Sequence, residues 1–313
     1  MIDFREVRLS DKSTIDSLIC ASGCFGADYS FANLYIWRDV YKPQIAIAGN
    51  RLIVATPSYG VYSYPKGGGD VRESTDKLLD FVHERGEKLL IRGLTDRTLE
   101  EFLPIYGDRF EIIEDRDNAD YVYSAEKLRY LAGRKLASKR NHIKHFERNG
   151  QWEIRRLGWN DRANALESLT DSDGKVIACD TLEAARKFVD VFYQEKGDPD
   201  LESEAIAINE MFTHFEELGF VGGLLYQNEE PVAFTAATRL GDPAMDVHFE
   251  KALPGVEGAY TMINREFVTM VCQLLPEVEM FNREEDMGLE GLRKAKLSYK
   301  PDILMMKYLA KEK

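Results

Sequence analysis

The chain has 313 residues, 44% of them hydrophobic and 30% charged, a length and balance that fit two ordinary globular domains and exclude disordered, collagen-like and disulfide-scaffold classes. Its net charge of −13 argues against broad, non-specific nucleic-acid binding by the molecule as a whole. Four cysteines, Cys20, Cys24, Cys179 and Cys272, are too scattered for a disulfide framework, and Cys20/Cys24 lack the second pair a zinc site needs. No metal is expected.

The first residues, Met1-Ile2-Asp3-Phe4-Arg5-Glu6, are charged with no apolar run behind them. No stretch approaches the ~18 uninterrupted apolar residues of a spanning helix. The expectation is a cytoplasmic protein without a cleaved leader or an integral membrane segment.

In the first half, Gln44–Ala48 and Arg51–Ala55 read as strands around Gly49-Asn50, a two-residue hairpin signal. Tyr59–Tyr64 reads as a third strand and Pro65–Asp70 as a loop, with Gly67–Gly69 as a hinge, since no Gly-Lys-Ser/Thr follows. Leu78, Leu79 and Val82 mark a helix running to about Gly86. Lys88–Ile91 is strand-like. Thr95-Asp96 opens a second helix carrying Leu99, Phe102 and Leu103, and strands follow at Phe110–Ile113 and Tyr121–Tyr123.

Three helical stretches come next. The first is basic: Glu126 to Arg148 carries +6, so the remainder carries −19. Ala132, Leu136, Ile143 and Phe146 form its apolar side. The second runs from Thr181 with Leu182, Ala185, Val189 and Phe192 inward, and the third carries Ile208, Met211, Phe212, Phe215 and Leu218. Loops are expected at Asp171–Gly174 and Gly197–Pro199.

The second half repeats the order of the first. Phe220–Tyr226 and Val232–Thr238 flank a turn, Met245–Phe249 is a third strand, and a Gly-containing loop follows. A helix then carries Ile263, Phe267, Met270, Val271 and Leu274 on one face and ends at Pro276. Val278–Phe281 is a strand, Leu289–Lys296 a helix and Ile303–Tyr308 a last strand. The shared order of hairpin, strand, loop, helix, strand, helix, strand suggests a duplicated α/β unit.

Three stretches carry a family resemblance: Ser30–Trp37, Gly133-Arg134-Lys135 through Lys139-Arg140-Asn141 to Phe146, and Phe281-Asn282-Arg283-Glu284-Glu285-Asp286-Met287-Gly288 continuing to Pro301. They resemble a bacterial family of uncharacterised proteins grouped with the C-terminal domain of phosphatidylglycerol lysyltransferases. The resemblance covers nearly the whole chain. It implies an α/β fold of two tandem GNAT-like acyltransferase domains, related to the Fem-type aminoacyltransferases. Residues 1–122 would form one domain, and 123–313 the other, including the basic helix 126–148.

The function implied is transfer of an acyl group, foremost an aminoacyl group from a charged tRNA, to an amine or hydroxyl on a small molecule, lipid head-group or peptide. The chain lacks the lysyltransferases' transmembrane helices, which weighs against a lipid. Two alternatives stand beside it: an N-acyltransferase using acetyl-CoA or another acyl-CoA, and a non-catalytic GNAT-like binding protein.

The candidate site residues follow from this resemblance and from the residues themselves. Glu250, ending a strand, is the candidate base and Tyr299 the candidate acid. Asn282 and Asp286 would orient the acceptor, Asp286 also serving as N-cap of the next helix. Arg293 and Lys296 share a helix face and, with Lys135, Lys139 and Arg140 of the basic segment, would hold the phosphate-bearing donor. Gly255 and Gly258 lie where GNAT enzymes cradle a pyrophosphate. The pattern is broken here by Tyr260 and by the negative Glu257, so a tight strand-to-helix turn is an equal reading. Each charged candidate also has a plainer reading as a solvated or paired surface residue.

Overall fold

Hairpin turns, capped helices and apolar stripes fall into the following order. The computed structural model describes residues 2–158, 177–196, 202–241 and 243–313; the expected loops at 171–174 and 197–199 lie outside the described residues. In chain order come β1 (Arg5–Glu6), α1 (Lys12–Ser22), α2 (Phe31–Ile36), α3 (Arg38–Tyr41), β2 (Gln44–Ala48), β3 (Arg51–Thr56), β4 (Val61–Ser63) and β5 (Lys66–Gly67). Next are α4 (Val71–His83), β6 (Leu90–Leu94), α5 (Asp96–Tyr106), β7 (Phe110–Glu114), β8 (Asp120–Ser124), α6 (Ala125–Tyr130), α7 (Ala137–Arg148) and β9 (Trp152–Gly158). The remainder is α8 (Ile177–Lys196), α9 (Glu202–Thr213), β10 (Val221–Gln227), β11 (Glu230–Leu240), β12 (Ala244–Ala252), α10 (Ala259–Leu274), β13 (Met280–Asn282), α11 (Glu290–Ser298), β14 (Ile303–Met305) and β15 (Tyr308–Glu312).

The chain divides into two units. Unit 1 holds Met1–Val122, Asn282–Lys296 and Pro301–Lys313; unit 2 holds Tyr123–Phe281 and Leu297–Lys300. The sequence reading assigned all of 123–313 to the second domain, whereas two C-terminal segments belong to unit 1. The physical reason is strand pairing. β15 inserts between β6 and β7, antiparallel to both, with Ala310 opposite Ile91 on one side and Ile112 on the other.

In unit 1 the sheet order is β1-β2-β3-β4-β6-β15-β7. The β2–β3 hairpin turns at Gly49 and Asn50, both at positive φ (56 and 57), the backbone that two-residue hairpins require. Residue 69 lies so close to this turn that a Cβ there would sit 2.0 Å from the Gly49 carbonyl oxygen. The glycine run expected as a hinge is therefore a packed contact. α4 starts where Asp70 accepts from the Arg72 N–H, and α5 where Thr95 accepts from Thr98. Their buried faces (Leu78, Leu79, Val82; Leu99, Phe102) join Ile53, Ile91 and Phe110 in one core.

Two expectations about strands shift. The third strand is only Val61–Ser63, because Pro57–Tyr59 forms a 3-10 turn that Gly60 ends in the left-handed region. The single last strand is two: β14 pairs with β8, and β15 joins the large sheet.

In unit 2, β12-β11-β10-β9 form an antiparallel run. Ile263, Phe267 and Val271 of α10 are buried, as are Ala185, Val189 and Phe192 of α8 and Ile208, Met211 and Phe212 of α9. The basic segment is two helices, broken where Leu131 adopts a left-handed backbone (φ 47). That break buries Leu131 and leaves Ala132 exposed, reversing the expected inward residue.

Candidate functional site

The site of greatest chemical interest lies within unit 1. Asp120 opens β8, and the apolar run behind it carries the carboxylate to full burial. Its oxygens are engaged by the Ala27 N–H (2.7 Å), by Asn282 Nδ2 (2.9 Å) and by Lys307 Nζ (2.7 Å). Lys307 lies just before β15 and also pairs with Asp28 at 2.8 Å. Asp28 sits in a 3-10 turn, Ala27–Tyr29. Asn282 ties the region together, donating also to the Phe25 carbonyl at 3.1 Å and accepting from the Glu284 N–H at 2.8 Å.

Burying several charges is costly even when they are paired, so such a cluster is a candidate functional site. Burial would lower the Lys307 ammonium, but the carboxylates of Asp120, Asp28 and Glu285 hold it well above the ordinary lysine range. Burial would raise Asp28, yet Lys307, Lys66 and Arg92 keep it well below the usual carboxylate range. Glu285 differs. Burial, with Glu284, Asp120 and Asp28 nearby, outweighs Lys307 and pushes its carboxyl up to about 7. Among the described residues no group hydrogen-bonds that carboxyl. Burial raises the half-exposed Tyr41 hydroxyl, and Glu285 adds to that rise from nearby. A carboxyl tuned near neutrality beside a buried charge cluster is suited to moving protons.

The loop bearing Glu285 is held from below. Asp286 is fully buried and accepts from the Gly288 N–H (2.9 Å), from Arg293 Nε (2.9 Å) and Nη2 (2.8 Å), from Arg116 (3.2 Å) and from the Tyr121 hydroxyl. Burial would raise this carboxyl, but Arg293, Tyr121 and Gly288 hold it well below its ordinary range. Its expected role as helix N-cap gives way to this arrangement: α11 begins only at Glu290, and the chain turns first at Met287 and Gly288, both at positive φ. Arg293 also pairs with Asp117 at 2.6 Å. The buried Lys296 donates to the carbonyls of Arg283 (2.5 Å) and Glu285; burial brings it down to about 8 against the pull of Glu284. A donor phosphate reaching Arg293 or Lys296 would have to displace Asp117 or these loop carbonyls.

The structure thus brings Asn282, Asp286, Arg293 and Lys296 together, with Asp28, Asp120, Glu285 and Lys307 as unforeseen companions. Lys307 stands between Met306 and Tyr308 in an otherwise apolar run, a signal that a buried charge has a partner. Asp28 gives no such signal, because it lies in an irregular turn.

The other candidates lie in unit 2. Glu250 accepts from Asn264 Nδ2 at 2.9 Å. Tyr299 is buried, with Lys139 Nζ 3.9 Å from its ring centroid and Tyr123 edge-on at 6.3 Å. Arg140 donates to the carbonyls of Leu131 and Gly133 and so closes the break after α6. Lys135 is exposed. Gly255 and Gly258 have positive φ (87 and 86), and Glu257 faces His142 and His145 at 3.7 and 3.4 Å.

A Cβ on Gly258 would lie 2.3 Å from the His142 carbonyl oxygen, whereas Gly255 has open space. Gly258→Ala is therefore expected to destabilise the protein by about 2–4 kcal/mol, and Gly255→Ala by only about 1–2 kcal/mol of backbone strain. Urea unfolding of the two variants checks this. Equal losses would mean that α7 does not set the requirement at Gly258.

Among the described residues no helix is long and apolar enough to cross a membrane. The family model "Phosphatidylglycerol lysyltransferase, C-terminal" matches residues 23–311. A conserved protein of unknown function from Bacteroides thetaiotaomicron is 32% identical, with 100% of each chain covered and a TM-score of 0.84. L-PGS from Bacillus licheniformis is 15% identical, covering 98% of this chain and 88% of its own, with a TM-score of 0.54. An acetyltransferase of the GNAT family from Colwellia psychrerythraea is 8% identical, covering 100% and 99%, with a TM-score of 0.51. The fold is therefore the tandem GNAT-like α/β architecture expected from the sequence. No curated protein matches the chain.

Proposed function

The chain belongs to the phosphatidylglycerol lysyltransferase C-terminal family, and on that premise we propose that it is an acyltransferase that moves an aminoacyl group from a charged tRNA to an amine or hydroxyl acceptor. The observation that carries this reading is the Glu285 carboxyl, which burial beside the charge cluster of Asp28, Asp120 and Lys307 pushes up to about 7. A carboxylate near neutrality suits an acceptor that must lose a proton.

In the reaction, the acceptor nitrogen or oxygen attacks the ester carbonyl and gives its proton to Glu285. The new C–N or C–O bond forms, the ester C–O bond breaks, and the proton returns to the departing ribose oxygen. Arg293, Lys296 and Asp286 act as positioning residues that fix the loop. Glu285 takes the role of base that the sequence reading gave to Glu250. The exposed cations of the basic segment, Arg134, Lys135, Lys144 and Arg148, offer contacts to tRNA phosphates.

Retention of bulk aminoacylated tRNA across a salt series tests the donor. Binding is expected to weaken steeply with salt. The double variant Lys135→Glu/Lys144→Glu should flatten the log–log slope by about 2, roughly one per lost phosphate contact. Absence of binding at low salt would remove tRNA as the donor.

A further inference from the structure

We propose that unit 1 contains a second ligand site, which shares Lys66 with the Asp28–Lys307 cluster: a cavity of about 450 Å³ that takes a small organic anion, its carboxylate or phosphate group seated on Lys66 with Arg97 also in the lining. This inference does not rest on the aminoacyl-transfer reading. The volume falls within the range of small-molecule sites.

One wall is preformed. Arg51, only 5% exposed, pairs with Glu101 at 2.5 Å and donates to the Pro65 and Gly69 carbonyls at 3.0 and 2.6 Å. The Tyr64 hydroxyl donates to the other Glu101 oxygen at 2.6 Å. This network neutralises Arg51 and Glu101 against each other and fixes their geometry. Of the charged lining, Lys66 and Arg97 then face a single acid, Glu100.

Lys66 supplies the anchor. It is 5% exposed, yet among the described residues its ammonium has one hydrogen-bond acceptor, the Asp28 carbonyl, with the Tyr29 ring centroid 5.0 Å away. An ammonium carries three donors, and burying one with so few acceptors is costly. The Asp28 carboxylate does not complete it, being paired with Lys307. Burial, with the like charges of Arg92 and Lys307, also brings Lys66 down to about 8 despite Asp28. Arg97 is exposed and donates to the Gly23 carbonyl at 2.8 Å, and the hydroxyls of Ser22 and Thr98 line the same cavity. An anionic oxygen group at Lys66 supplies the missing acceptors, and its polar remainder meets these hydroxyls.

The test titrates the full chain calorimetrically with inorganic phosphate, succinate and glutamate. In parallel, Lys66 acylation by acetic anhydride is followed by peptide mass spectrometry. At least one probe is expected to bind saturably and to shield Lys66, and Arg97→Glu and Lys66→Met should each weaken it about tenfold or more, a change of about 1.4 kcal/mol. The phosphate and carboxylate arms distinguish the two anion types. Should Lys66→Met fail to fold, shielding in the wild type and the surface variant Arg97→Glu still decide. The proposal is overturned if no probe saturates at millimolar concentration, or if a probe binds without shielding Lys66 and with unchanged affinity in Arg97→Glu.

Discussion

Replacing Lys307 by methionine is expected to lower the stability of the protein by about 3–5 kcal/mol at neutral pH, because it leaves buried carboxylates without their counter-charge. Methionine preserves most of the side-chain volume, so the loss reports charge and not a cavity. Asp120 and Asp28 lie 2.7 and 2.8 Å from the ammonium and are the groups left behind. The pH dependence has a definite sign. In the wild type the depressed Asp28 contributes stability that is present above its ordinary value of 3.8 and is lost as pH falls through its lower folded value. In Lys307→Met that contribution shrinks to what Lys66 and Arg92 still supply to Asp28, so less charge-pair stability is present at pH 7. The deficit should therefore be smaller at pH 4 than at pH 7. Urea unfolding at the two pH values measures it, and a deficit that grows on acidification would contradict the assignment.

Glu285→Gln is expected to reduce transfer by about 10²–10⁴-fold, the usual contribution of a general base, without a matching loss of stability. The wild-type rate should rise with pH through about 7, and the variant should lack that limb. The stability sign runs the other way. A carboxyl raised from 4.5 to about 7 favours its protonated form in the folded state, so wild-type stability falls as pH rises between those values and levels off above. Glutamine carries no charge, so above pH 7 the variant should be as stable as the wild type or more so. An inactive, equally stable variant separates a proton-transfer role from a structural one. Loss of stability at pH 8 would assign Glu285 to the scaffold instead.

Local chemistry made much of the fold legible. Gly49-Asn50 announced its hairpin because few residue pairs tolerate two positive φ values in succession. Thr95 announced α5 because its hydroxyl satisfies an otherwise orphaned N–H, and the Ile263–Phe267–Val271 stripe announced the buried face of α10. What was hidden is non-local. β15 joins β6 and β7 across some two hundred residues, and nothing in its alternation names those partners. The reading of Ile303–Tyr308 as one strand ran straight through Lys307, the residue at which the chain leaves β14 for β15. The candidate site divides in the same way. The Asn282–Lys296 stretch stood out in the sequence, but Arg293 reaches Asp286 only because the loop turns at Met287 and Gly288. Helical spacing and the family resemblance pointed Arg293 and Lys296 toward a ligand, whereas both hold the loop. Glu285, one residue from the chosen Asp286, draws its raised value first from burial and then from Glu284, Asp120 and Asp28, and both the burial and the last two neighbours exist only in the folded chain.

The most direct test of aminoacyl transfer follows the acyl group itself. Bulk tRNA charged with radiolabelled amino acids is incubated with the protein and with amine-bearing peptides, amino sugars and lipid head-group alcohols as acceptors. The account predicts time-dependent movement of label from tRNA into at least one acceptor class by the wild type, and little or none by Glu285→Gln. Label that stays on tRNA with every acceptor, while acetyl-CoA supplied instead is consumed, would contradict it.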